Sequence, residues 1–172
     1  MNLSAKAEKK SVHKRRFFLV LFMVVTFLFQ NTGGLFPELF GANAILLLPL
    51  TVCIGMFEGE LSGLFYGLAA GTMLDAFSAQ TICFNGIVFT LIGFAAGALI
   101  THLMRNNLLC SVILSFVLAF IYNSLSFIFH YAFSGDSPLY VYFRFYLLSA
   151  VFTAALTPIY YYIVRAIRRK YS

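Results

Sequence analysis

The sequence predicts an all-α integral membrane protein with six transmembrane helices, and three observations carry that expectation. The chain is 61% hydrophobic and 10% charged, with a mean hydropathy of +0.88, where soluble domains run at roughly 25% charged. Apolar runs close to spanning length, about 20 residues, recur along it. Its basic residues gather at the two ends. Lys6, Lys9, Lys10, Lys14, Arg15 and Arg16 precede the first apolar run, and Arg165, Arg168, Arg169 and Lys170 follow the last.

The first span is Phe17 to about Phe36, broken by "QNTGG", and the second is Ala42 to Phe57. The third, Leu61 to Phe77, is glycine-rich; the fourth runs from Phe84 to Met104 and the fifth from Leu108 to Phe133. The sixth runs from about Leu139 to Ile163. Each is expected to be helical, because backbone groups in lipid must be satisfied within the segment. The domain reading is a basic tail over 1–16, its first 14 or so residues disordered, a six-helix transmembrane domain over 17–164, and a basic tail over 165–172.

With the amino terminus inside, eleven of the twelve Lys and Arg residues lie on the cytoplasmic side, and Arg144 alone lies outside. This is the positive-inside pattern. The weakest break is "FEGE", Phe57 to Glu60. Fusing the second and third spans would make five crossings and place "RAIRRKY" outside, against the bias, so the break is kept. "KRRFFLVLFMVVTFLF" has the basic start and apolar core of a signal peptide, but Ala42-Asn43-Ala44 lies far beyond that core, and an uncleaved first helix is expected. Both termini are thus cytoplasmic and the protein multi-pass.

The charge of +6 is not read as nucleic-acid binding, since basic clusters that flank apolar segments report topology and anionic headgroups. Cys53, Cys83 and Cys110 have no C-x-x-C spacing and no ligand cluster nearby, and read as small buried hydrophobes. No catalytic or nucleotide-binding motif appears. Neither metal nor cofactor is expected, and the protein is read as non-enzymatic.

"GELSGLFYGLAAGTMLD" places Gly59, Gly63, Gly67 and Gly71 on one helical row that ends in Asp75. Residues four apart form a slanted ridge, and a ridge without side chains lets a second backbone approach closely. The fourth span carries a matching row in Gly86, Thr90, Gly93, Gly97 and Thr101, which is expected to face the first row or a partner. The fifth carries Ser111, Ser115, Ala119, Asn123, Ser126 and His130 on one face. That stripe reads either as interhelical glue or as the wall of a polar cavity.

Asp75 is an ionisable group inside a span, which costs roughly 2.5–3.5 kcal/mol and marks a candidate site. The topology puts Asp75, His130 and Arg144 at one outer level. A charge-assisted pair of Asp75 with Arg144 or His130 is the leading expectation, and capping of a helix end the next. A membrane enzyme acting on a lipid-linked substrate would have only these three groups to use.

The stretch from Leu47 to Leu99 resembles the core of the rod shape-determining MreD family. Gly63, Gly67, Gly71 and Asp75 fall on its G-x-x-x-G-L-x-x-G-x-x-x-D run, Asn85 on its G-x-N asparagine, and Gly93 with Gly97 on its closing G-x-x-x-G pair. The chain departs where the family often has glycine two residues before the asparagine: here stands Cys83, with Gly86 after the asparagine instead. The resemblance implies a scaffold or regulatory subunit of the bacterial cell-elongation complex, in the cytoplasmic membrane. It also implies association with an MreC-like bitopic protein and, through it, with MreB and the elongation glycosyltransferase and transpeptidase pair. The implied fold is similar to that of the substrate-binding subunits of energy-coupling-factor vitamin transporters, which supply the alternative function. Against them stand a first helix that is bulky throughout, "FFLVLFMVVTFLFQ", and an outer loop, "AFSAQTICFNG", without proline.

Overall fold

A computed structural model describes residues 2–32, 45–77, 83–103, 106–131 and 147–171. Its regular structure is helical throughout: α1 (Asn2–Asn31), α2 (Leu47–Glu58), α3 (Glu60–Phe77), α4 (Phe84–His102), α5 (Leu108–Tyr131) and α6 (Leu147–Lys170). Each helix overlaps one of the six apolar runs. Phe84–His102, Leu108–Phe129 and Leu147–Lys170 are long and apolar enough to cross a membrane, while α2 is apolar but shorter. The described residues form an all-helical membrane protein.

The shortest of the described helices is the centre. "LLPLTVCIGMF" is apolar on every side, and a helix without a polar face has to be enclosed. Every residue from Leu47 to Phe57 is buried. Around α2 the other five close a ring in the order α1, α3, α4, α5, α6, with α6 returning to α1. The seam between α4 and α5 is thin, and rings bridge it: Phe89 meets Tyr122 edge-on at 5.5 Å, and Phe84 lies 4.9 Å from Phe129. The outward faces stay apolar. Phe65, Leu91, Ile113 and Ile128 are all exposed, as side chains that meet lipid rather than water should be.

The amino-terminal tail departs from expectation. Its described residues are helical from Asn2 and continuous with the first apolar run. Lys, Ala and Glu are good helix formers, and an existing helix extends without a new nucleus. The basic carboxyl end is likewise helical, so that Arg165, Arg168, Arg169 and Lys170 continue α6. The two basic ends meet: Ser11 Oγ donates to the Tyr171 carbonyl at 2.6 Å, and Phe18 stacks on Tyr171 at 5.2 Å.

Candidate functional site

The glycine rows meet. α3 and α4 form the most extensive contact among the described helices. A methyl group placed on Gly63 would strike the Gly93 carbonyl oxygen, on Gly67 that of Phe89, and on Gly71 that of Asn85. The approach is reciprocal: a methyl on Gly93 would strike the Gly63 oxygen, and one on Gly97 would come within 2.6 Å of the Glu60 nitrogen. Two backbones in direct contact leave no volume for a Cβ, which is why these positions hold glycine.

Gly59 plays a different part from its row. It lies between helices, at φ 90° and ψ 175°, and a Cβ there would meet nothing within 4 Å. Its glycine is required by backbone conformation, not by packing. The position ends α2 at Glu58 and starts α3 at Glu60, so "FEGE" is a break. Gly55, on α2, takes the interfacial place: a Cβ there would come within 2.7 Å of the Gly93 oxygen and 3.2 Å of the Gly97 nitrogen. Sequence reasoning passed over Gly55, although it extends the four-residue series back by one step.

Asp75 closes the end of the contact at the carboxyl end of α3 and the amino end of α4. Its Oδ1 accepts the backbone N–H of Asn85 at 3.0 Å, and its Oδ2 accepts that of Gly86 at 2.7 Å. These are orphan donors of the first turn of α4. The residue at the capping position itself, Cys83, supplies no side-chain hydrogen bond and sits at φ 65°. A carboxylate from the neighbouring helix therefore does what a local Ser or Asp does elsewhere, and it faces the positive end of the α4 dipole. Gly86 permits this approach, since a Cβ there would lie 3.2 Å from Asp75 Oδ2. The Asn85 side chain carries the clasp to a third helix, for its Oδ1 accepts the Tyr122 hydroxyl at 2.7 Å.

Arg144 lies outside the described residues, as does the side chain of His130. What the structure gives Asp75 is the cap, the second of the two sequence expectations. Asn123 is buried on α5 with Ser111, Ser115 and Ala119, so this stripe faces inward. Ser111 Oγ lies 3.5 Å from Cys53 Sγ on α2, and the Ser115 hydroxyl is buried with no hydrogen-bond partner. Threonines mostly bond backwards along their own helix: Thr90 to the Gly86 carbonyl at 2.6 Å, Thr101 to that of Gly97 at 2.9 Å, Thr51 to that of Leu47 at 2.8 Å. Close backbone approach, more than hydroxyl bridging, joins α3 to α4.

At the opposite end stands an ion pair that the sequence did not disclose. Arg15 Nη2 lies 2.9 Å from Glu58 Oε2, with side chains 20% and 7% exposed. Arg168 lies over the Phe57 ring at 5.8 Å, and Asn106 Nδ2 donates to the Met56 carbonyl at 3.1 Å. The carboxyl end of α2 is thus held by α1, α6 and the α4–α5 connection. His102 Nε2 stands 3.7 Å from Glu60 Oε2 on the exposed rim. Among the described residues no three His, Cys, Asp or Glu side chains gather as a metal site would require.

No family model, curated protein or solved structure matches this chain.

Proposed function

We propose that the protein is a non-enzymatic scaffold or regulatory subunit of the bacterial cell-elongation complex, of the MreD type, with six crossings and both termini cytoplasmic. One observation carries the reading. The residues on which the MreD resemblance rests, Gly63, Gly67, Gly71, Asp75, Asn85, Gly93 and Gly97, are the same residues that make the α3–α4 contact and its clasp. A sparse motif of glycines with one carboxylate is what such a contact needs, so in this chain the residues of the motif act together as one structural element. A rigid helix pair built this way suits a protein that holds partners in register. The proposed partners are an MreC-like bitopic protein directly, and MreB with the glycosyltransferase and transpeptidase pair through it.

Purification of the tagged protein in mild detergent, with mass spectrometry of what accompanies it, tests the reading. A bitopic MreC-like protein together with elongation enzymes is the expected outcome. Stable recovery of an ATPase module, or nanomolar binding of a vitamin by calorimetry, would overturn it in favour of a transporter subunit.

A further inference from the structure

A groove of about 610 Å³ runs between α1 and α3, where the two helices touch only sparsely. Its lining is polar at one end only. Arg16 stands there with Ser62, and the Tyr66 hydroxyl donates to the Arg16 carbonyl at 3.4 Å. Away from that end the walls are Val20, Met23, Ala69 and Met73. From Ser62 to Met73 is about 16 Å of helix at 1.5 Å per residue, close to half of a hydrocarbon core about 30 Å thick. A cleft with one cationic end and an apolar bed one leaflet deep matches an amphiphile with an anionic head.

Arg15 and Arg16 are adjacent but turned to different neighbours. Arg15 reaches Glu58 on α2, whereas Arg16 lies on the groove, and among the described residues no carboxylate is within ion-pair distance of it. A planar guanidinium without a carboxylate at a membrane surface is suited to a phosphodiester, which it engages through paired N–H donors. Lys14 is exposed at the same level of α1 and adds positive charge there, which favours an anionic headgroup over one that brings its own ammonium.

We propose that the α1–α3 groove holds one acyl chain of an anionic phospholipid, with the lipid phosphate on Arg16. The site requires only that the Arg16 end of α1 lies at a membrane surface. It is independent of the elongation-complex reading, and neither falls with the other.

The probe is phosphatidylglycerol with a photoactivatable acyl chain, introduced into nanodiscs of phosphatidylcholine that hold the full chain. Cross-linked peptides are mapped by mass spectrometry. Label is expected to concentrate on the segments containing Val20, Met23, Ala69 and Met73, above the level on the outward face of α5 at Ile113 and Ile128. Arg16→Gln should lower groove labelling about fivefold, the loss that corresponds to one basic residue near an anionic surface, and Arg16→Lys should keep most of it. Ala69→Trp, which fills the bed and leaves Arg16 in place, should abolish it. Arg16 is exposed, so its variants decide the matter even where Ala69→Trp fails to fold. Equal labelling of the groove and the α5 face, indifference to Arg16→Gln, or equal groove labelling by phosphatidylcholine that carries the same photoactivatable chain would each overturn the proposal. So would cross-linking in native membranes, from a photoreactive residue at position 69, to a protein in place of a lipid.

Discussion

The Asp75 carboxylate on α3 receives the backbone N–H of Gly86 on α4 at 2.7 Å, and its other oxygen receives the neighbouring N–H of Asn85. A cap supplied from another helix joins two elements as well as finishing one. Losing it exposes two donors in a poorly hydrated place and releases that end of the α3–α4 contact. Asp75→Ala should therefore destabilise the protein by about 0.5–2 kcal/mol, the range for a lost cap. Asp75→Asn keeps an acceptor and should retain a good part of that. Thermal unfolding in mild detergent ranks the three proteins, and an Asn variant as unstable as the Ala variant would mean that charge, not capping geometry, holds Asp75.

The glycine contact makes a sharper demand. A single methyl is enough to disrupt it, because the atoms that a Cβ would strike at Gly63 and Gly67 are backbone carbonyls, which cannot rotate away. Gly63→Ala and Gly67→Ala should each cost about 1–3 kcal/mol or more, as overpacking does. Gly86→Ala should be milder, since its nearest neighbour is a side-chain oxygen at 3.2 Å. Leu68→Phe, on the lipid-facing side, should change stability by less than about 0.5 kcal/mol. Equal thermal stability across these variants would remove the interface.

At the other end of the bundle, Glu58 is nearly enclosed and its partner Arg15 is one-fifth exposed. Removing one charge strands the other, and for buried pairs that costs about 3–5 kcal/mol. Partial access of Arg15 to water places Arg15→Gln and Glu58→Gln toward the lower end of that range. The double variant should recover part of the loss, and a double-mutant cycle reads the coupling directly. Strict additivity would show that the two side chains do not interact.

How far the sequence reached depended on whether a feature was local. The series Gly63, Gly67, Gly71 was legible because a four-residue period maps directly onto one helical surface. Gly55 belongs to the same contact, but it stands before the "FEGE" break, and a row followed along one helix stops there. Asp75 stood out by its cost in lipid, whereas its donors did not, since backbone N–H groups at a helix start have no residue signature. Arg15 with Glu58, and Asn85 with Tyr122, are meetings between helices distant in sequence. Only the packing of the ring around α2 reveals them. The basic tail misled for a thermodynamic reason: charge density argued for disorder, while continuity with an apolar helix removed the nucleation cost.

Orientation gives the last test, and the structure decides how to perform it. Impermeant maleimide labelling needs a background without reactive cysteines, and the native three differ: Cys53 is buried, Cys110 partly so, and Cys83 exposed. Cys83 sits at φ 65°, where an L side chain costs about 1–2 kcal/mol, so Cys83→Gly should keep or raise stability. Cys53→Ala and Cys110→Ser complete the background. In intact spheroplasts, Asp136→Cys should be labelled, while Ser4→Cys and Ser172→Cys should be labelled only after permeabilisation. Protection of both ends follows from the excess of Lys and Arg beside them, and it requires an even number of crossings. Label at position 172 with position 4 still protected in intact spheroplasts would mean an odd number and would reject the six-crossing topology. Label at positions 4 and 172 with none at 136 would reverse the orientation and leave the even count intact.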